Sequence, residues 1–335
     1  MSFDEKFNIK QIVIYLLGIM FITFGLGTLI MFRTGTNFLK VTKSNNSISD
    51  TKTNHSISDT KTNNSVEDTK TNQTIDDTKT SSLAGINEID VDVSSATINI
   101  IPEGTSQVKA HFYGDVTSSS DYSKPEIQCY QSGNTLVIKE VDNNHINFGY
   151  FNSNVKLDVY IPSNYNKDVK LVSSSGDINI NGYKFSELDC NLSSGTLNMN
   201  NVSADTFNYS NSSGDLKADT LTTKTTTLDS SSGSIYINMF SGNLTSESSS
   251  GDSNIDYANF NNNIDMHSCS GEIVLTLPNS AQFNLDADAS LGDITCDFPI
   301  TVSGKNDDHK LQGFVGNGKN NIKLEGSSGD IKILH

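Results

Sequence analysis

From about residue 166 onward, apolar residues come in short bursts at every second position. One set of bursts comprises Val169/Leu171, Leu188/Cys190, Phe207/Tyr209, Ile264/Met266 and Ile322/Leu324. A second set comprises Ile178/Ile180, Leu197/Met199, Leu216/Ala218, Ile235/Ile237, Ile273/Leu275, Ile294/Cys296 and Ile331/Ile333. A period of two is that of an extended strand with one buried face. No 3.6-residue period runs through this region. Between the two sets stands a recurring phrase, Ser-Ser-Gly-Asp-Ile or a near copy. Its glycines are Gly176, Gly195, Gly214, Gly233, Gly251, Gly271, Gly292 and Gly329. The gaps between them are 19, 19, 19, 18, 20, 21 and 37 residues, the last roughly two periods. A fixed period of this length marks a structure of stacked, equivalent coils.

Each coil therefore reads as strand, Ser-Ser-Gly turn, strand, return turn. Glycine accepts the positive φ that a corner requires, and the serines before it are placed to form hydroxyl ladders. Parallel stacking ~4.8 Å apart would line up Ile, Leu and Val in columns and give a rod about 40 Å long. The expected fold class is all-β, a parallel β-solenoid of about 19-residue coils over residues 166–335. Copy five departs from the phrase at Ser253 and copy seven at Leu291. Residues 297–325 break the period with Gly304, Gly313, Gly316 and Gly318, and are expected to close the C-terminal side. Ahead of the coils, residues 83–165 keep the two-residue alternation without the glycine phrase, at Val91/Val93, Ile98/Ile100, Val108/Ala110/Phe112, Leu136/Ile138 and Leu157/Val159/Ile161. They read as a β-rich cap, which an open terminal coil needs to cover its unpaired edge.

The first 82 residues follow other rules. Ile12–Phe32 is an uncharged apolar run long enough to cross a bilayer as a helix. The division expected is a cytoplasmic lead at 1–10, a transmembrane helix at 11–32 and a stalk at 33–82. Arg33-Thr34-Gly35-Thr36 offers no small-x-small cleavage site, so the helix reads as an uncleaved anchor. The stalk contains four nine-residue copies, Asn45–Thr53, Asn54–Thr62, Asn63–Thr71 and Asn72–Thr80. Each has one apolar residue (Ile48, Ile57, Val66, Ile75), too few to offset the entropy of ordering, so the segment is expected to be a disordered spacer. Fully extended, it would reach about 120 Å.

The coil phrases, the segment Leu157-Asp158-Val159-Tyr160-Ile161-Pro162 before the first coil, and Gly316-Asn317-Gly318 before the last resemble a bacterial family of putative adhesins. The resemblance covers about 86–335. It implies a β-solenoid exposed at the cell envelope, with no catalytic residues to carry over. Some relatives belong to envelope-stress systems that respond to antimicrobial peptides. Lys6 and Lys10 precede the apolar run and Arg33, Lys40 and Lys43 follow it, which by charge alone favours a cytoplasmic C-terminal side by one residue. The resemblance and the stalk point the other way. The expected location is the cell membrane, single-pass, with the C-terminal domain extracellular.

Charge narrows the partners. Of the chain's totals, 31 acidic and 14 basic residues fall after residue 82, a net of −17. Such a domain opposes nucleic acid and attracts cations, including cationic peptides. A cell-wall polymer or another surface protein are the other partners considered. The residue after the corner glycine is acidic in six copies: Asp177, Asp215, Asp252, Glu272, Asp293 and Asp330. Copies five to seven are consecutive in sequence, so Asp252, Glu272 and Asp293 are expected to stack as a carboxylate ladder, a candidate site for weak calcium binding. The simpler alternative is turn chemistry.

No other motif supports a cofactor or an enzyme. Gly313–Lys319 matches the opening of a phosphate-binding loop, but Asn320 stands where Ser or Thr is required and a strand follows instead of a helix. Cys129, Cys190, Cys269 and Cys296 form no C-x-x-C pair, and only Cys269 with Cys296 could meet across neighbouring coils. A polysaccharide lyase would need a basic residue, and Arg33 is the only arginine. The function expected is a non-catalytic surface protein for adhesion or cationic-ligand sensing. The alternatives are a passive, self-assembling spacer and, more remotely, a polysaccharide-cleaving β-helix.

Overall fold

The computed structural model describes residues 70–118, 124–141 and 151–335. The expected membrane helix, and the stalk up to residue 69, lie outside the described residues. Among those described, the regular structure is all strand, and no helix is long and apolar enough to cross a membrane.

The strands run in chain order as β1 Thr71–Ser82, β2 Glu88–Val93, β3 Thr97–Glu103, β4 Gln107–Ser118, β5 Glu126–Ser132, β6 Thr135–Val141, β7 Phe151–Pro162 and β8 Asp168–Ser173. Next come β9 Ile178–Asn181, β10 Lys184–Ser194, β11 Leu197–Asn200, β12 Val202–Ser213, β13 Leu216–Ala218, β14 Leu221–Ser230, β15 Ile235–Ser248 and β16 Ser253–Tyr257. The last are β17 Ile264–Ser270, β18 Ile273–Thr276, β19 Phe283–Ala289, β20 Ile294–Cys296, β21 Thr301–Asp307, β22 Lys310–Val315, β23 Asn320–Ser328 and β24 Ile331–Leu334.

Through the middle of the stack each coil supplies one strand before the glycine corner and one after it. The leading face pairs β8, β10, β12, β14 and the second half of β15 in parallel, with Leu188 beside Val169 and Phe207 beside Leu188. The trailing face pairs β9, β11, β13 and the first half of β15, so that Ile178, Leu197, Leu216 and Ile235 form one column. All of these are buried. Alternate side chains from both faces thus fill a single core.

The order of layers departs from the order of the sequence at both ends. At the C-terminal end, β23 lies between β17 and β19, and β24 lies between β18 and β20. The final Gly329 coil is therefore inserted between the Gly271 and Gly292 coils. At the N-terminal end, β2 lies between β6 and β8, and β3 between β7 and β9. Residues 88–103 accordingly form a coil of their own, with Ala96 at the corner, where the alternation alone indicated a cap. Antiparallel strands finish each end: β4 and β1 beyond β7, β5 beyond β6, and β22 and β21 beyond β19.

The fourth nine-residue copy is a correction to the disordered stalk. Residues 71–82 form β1, paired along its length with β4, and its one apolar residue, Ile75, is buried. A single apolar residue per copy is too little for an isolated core but enough for an edge strand resting on an existing one. The disulfide candidate also fails. All four cysteines are free, and the inserted β24 separates the coil of Cys269 from that of Cys296.

Candidate functional site

The glycine corner owes its composition to close stacking. A Cβ on Gly214 would fall on the carbonyl oxygen of Gly195, and one on Gly233 on that of Gly214. The same contact links each corner to the next along Ala96, Gly176, Gly195, Gly214, Gly233, Gly251, Gly271, Gly329 and Gly292. Most of these glycines also have positive φ, including Gly233 at 121°.

The acid after the glycine has a structural task. Asp177 Oδ1 accepts the Thr196 N–H at 2.8 Å, and Asp215 Oδ1 accepts the Ser234 N–H at 3.0 Å. Asp252 Oδ1 accepts the Glu272 N–H at 2.9 Å, and Asp330 Oδ1 accepts the Asp293 N–H at 3.0 Å. Each carboxylate satisfies a donor in the next coil at a corner, where the strand ladder is interrupted. The Ser234 N–H, and after it the Lys217 ammonium 3.1 Å away, hold the Asp215 carboxyl below the usual carboxylate range. The expected run Asp252–Glu272–Asp293 is not three adjacent layers, because Asp330 lies between Glu272 and Asp293. Glu272 is moreover ion-paired with Lys332. Among the described residues no group of three His, Cys, Asp or Glu side chains is placed to hold a metal ion.

Asparagine does the same work away from the glycine corner. Asn243 Oδ1 accepts the Asn263 N–H, and Asn263 Oδ1 accepts the Asn321 N–H, both at 2.9 Å. An amide ladder also crosses the trailing face. Asn179 Nδ2 donates to Asn99 Oδ1 at 2.9 Å and Asn198 Nδ2 to Asn179 Oδ1 at 3.1 Å.

Among the described residues, two outward surfaces carry side chains beyond these ladders. On the leading face, Asp229, Glu247, His267, Glu325 and Asp288 occupy one column through five successive layers. Asp265 stands in the adjacent column. Lys323 pairs with Glu325 at 3.0 Å and Lys310 with Asp288 at 2.8 Å. Asp229, Glu247 and Asp265 have no ion-pair partner among the described residues. On the trailing face, a groove of about 430 Å³ is lined by Asn181, Asn198, Lys217, Asp219, Tyr236 and Asn238 among others. Motif reasoning passed over both surfaces. The signal was nonetheless there, in the outward positions between the apolar ones, once each coil was indexed from its glycine.

This architecture defines a class: an all-β stack of parallel coils with strand-capped ends, glycine-stacked corners and side-chain ladders. Residues 86–334 match the Toastrack DUF4097 family, and the chain belongs to it. No curated protein matches the sequence. Among solved structures, a putative adhesin from Bacteroides fragilis is 16% identical, covering 78% of this chain and 97% of its own, with a TM-score of 0.46. A putative lipid binding protein from Parabacteroides distasonis is 15% identical over 78% of this chain and 96% of its own, with a TM-score of 0.41. A putative cell adhesion protein from Clostridium sporogenes is 15% identical over 78% and 99%, with a TM-score of 0.25.

Proposed function

We propose that this chain is a non-catalytic surface protein, held at the cell membrane by Ile12–Phe32, whose folded domain lies outside and captures cationic ligands electrostatically. The observation that carries this reading is the leading-face pair Asp229 and Glu247 in adjacent layers, with Asp265 in the next column, whereas Glu325 and Asp288 further along are paired with Lys323 and Lys310. Unlike the corner carboxylates, Asp229, Glu247 and Asp265 have no hydrogen-bond or ion-pair partner among the described residues. Like charges about one strand spacing apart raise the local negative potential, and a polycation relieves it. The antiparallel strands beyond β7 and β19 support a capped monomer over an end-to-end filament.

The test uses the full-length chain in zwitterionic detergent, titrated with polylysine at several salt concentrations. Binding should weaken as salt rises, and the triple variant Asp229→Asn/Glu247→Gln/Asp265→Asn should bind about tenfold more weakly. Equal binding by the variant, or no binding at low salt, would refute the proposal.

A further inference from the structure

The trailing-face groove stands apart from the acidic column and has a different chemistry. Its walls come from outward positions three and five residues after successive corner glycines: Asn198 and Asn200, Lys217 and Asp219, Tyr236 and Asn238. Its base includes Met199 and the small Ala218. One of the large apolar side chains left exposed in the described residues lines the groove, and a second follows it closely in sequence. Tyr236 is 42% exposed on the groove wall, and Met239, three residues on, is 50% exposed. Met239 also has a φ of 38°, left-handed backbone that a methionine adopts at a cost.

Polar order surrounds this apolar rim. The Asn99–Asn179–Asn198 ladder holds its amides in fixed orientation, and Asn238 Nδ2 donates to Asp219 Oδ1 at 3.4 Å. Amides that are already ordered lose little entropy on binding. Lys217, the one cation lining the groove, is paired with Asp215 at 3.1 Å. The groove's one cation is thus tied to a carboxylate outside it, and Asp219, which also lines the groove, adds to the negative field of a domain of net charge −17, which repels an acidic polymer. Asparagine side chains offer a donor and an acceptor together, suited to adjacent hydroxyl groups, and a tyrosine ring offers a flat face to the C–H groups of a sugar. The groove presents this chemistry in two of its three wall pairs, Asn198/Asn200 and Tyr236/Asn238, on either side of Lys217/Asp219. A β-1,4-linked glycan, flat and extended, advances per sugar by a distance comparable to the ~4.8 Å strand spacing.

We propose that this groove binds a neutral, linear β-linked glycan lying along the stack, one sugar per coil, with Tyr236 stacked on one sugar and Asn198, Asn200 and Asn238 bonded to hydroxyls of that sugar and its neighbours. The experiment is calorimetric titration of the full-length chain, in a detergent without a sugar headgroup, with cellohexaose, chitohexaose and polygalacturonate. At least one neutral hexasaccharide should bind, and polygalacturonate should bind more weakly. Tyr236→Ala should weaken binding about tenfold while Tyr236→Phe retains it, because the ring face is the contact. Asn238→Ala provides a second reading should Tyr236→Ala lower the melting temperature. The proposal is overturned if neither neutral glycan binds at millimolar concentration, if polygalacturonate binds best, or if Tyr236→Ala and Asn238→Ala both bind as the parent does. Loss of polylysine binding leaves this result unaffected, since the two surfaces lie on different faces.

Discussion

The middle of the stack and its two ends are built from the same coil but assembled differently. Between Gly176 and Gly271 each coil rests on the one before it in sequence. At the ends, the Gly329 coil and the Ala96 coil are each inserted one layer inward of an earlier or later neighbour. These two coils are thereby locked between strands on both sides. The difference teaches that a repeat specifies the shape of a layer and leaves its position to long-range pairing. It also gives the ends a cooperativity that nearest-neighbour stacking lacks.

The largest effect should come from unequal deletions. Removing residues 320–335 takes out β23 and β24, leaving β17/β18 and β19/β20 facing a gap two strand spacings wide. That variant should lose its C-terminal layers and aggregate through the freed edges. In-frame removal of residues 196–214, one 19-residue period, should instead leave a shorter stack that unfolds cooperatively, since Ile178 and Leu216 then become neighbours in the same column. Thermal unfolding with light scattering compares the two. Equal tolerance of both deletions would show that the inserted coil is dispensable.

Glycine substitutions sharpen the same contrast on the scale of single residues. Gly214→Ala drives a methyl group into the Gly195 carbonyl and should cost about 3 kcal/mol or more. Gly104 has open space around it and no positive φ, so Gly104→Ala should stay within about 0.5 kcal/mol. Urea unfolding measures both. A Gly214 effect no larger than that at Gly104 would mean that the corners are not held in contact.

Much of this architecture was legible because burial and periodicity are local. The pairs two and four residues after the glycine lie in the core from Ile178/Ile180 to Ile331/Ile333, except in the last layer, where Ile294 and Cys296 after Gly292 are half-buried. The layer order was not legible, because Gly329 carries the same phrase whether it caps the stack or is inserted into it. Ile75 illustrates a second limit: whether one apolar residue orders a strand depends on the surface it meets, here β4. The acid after the glycine drew a ligand hypothesis because its partner, a backbone N–H one coil away, has no sequence signature. Tyr236 and Asn238 were passed over for the converse reason, being ordinary outward residues until the stack sets them in one groove.

A smaller prediction concerns the corner carboxylates. Asp215→Ala removes the acceptor for the Ser234 N–H and should cost about 1 kcal/mol. The folded-state pKa of Asp215 is depressed, so its contribution is present above the unfolded value near 3.8 and is lost as pH falls through the lower folded value. Urea unfolding of the parent and of Asp215→Ala should therefore converge at strongly acidic pH. A stability difference independent of pH would locate the effect in packing instead.

The smallest effect lies where the coils run out. Gly292 is the last glycine corner, and no further coil stacks on it to use its carbonyl. His309 fills that place, with Nδ1 2.8 Å from the Gly292 oxygen. This bond, and after it the carboxylates of Asp293, Asp307 and Asp308, raise the His309 pKa above its ordinary value of 6.5. A raised folded-state pKa means that the stabilisation is complete below about pH 6.5 and is lost as pH rises through the folded value. The middle corners, held by carboxylates, should show the opposite dependence and only in acid. Hydrogen exchange of residues 292–296, corrected for intrinsic rates, should therefore show protection that declines modestly through neutral pH in the parent and stays flat in His309→Ala. Identical profiles for the two proteins would mean that the last corner is closed by the neighbouring strands alone, and that the end differs from the middle in layer order only.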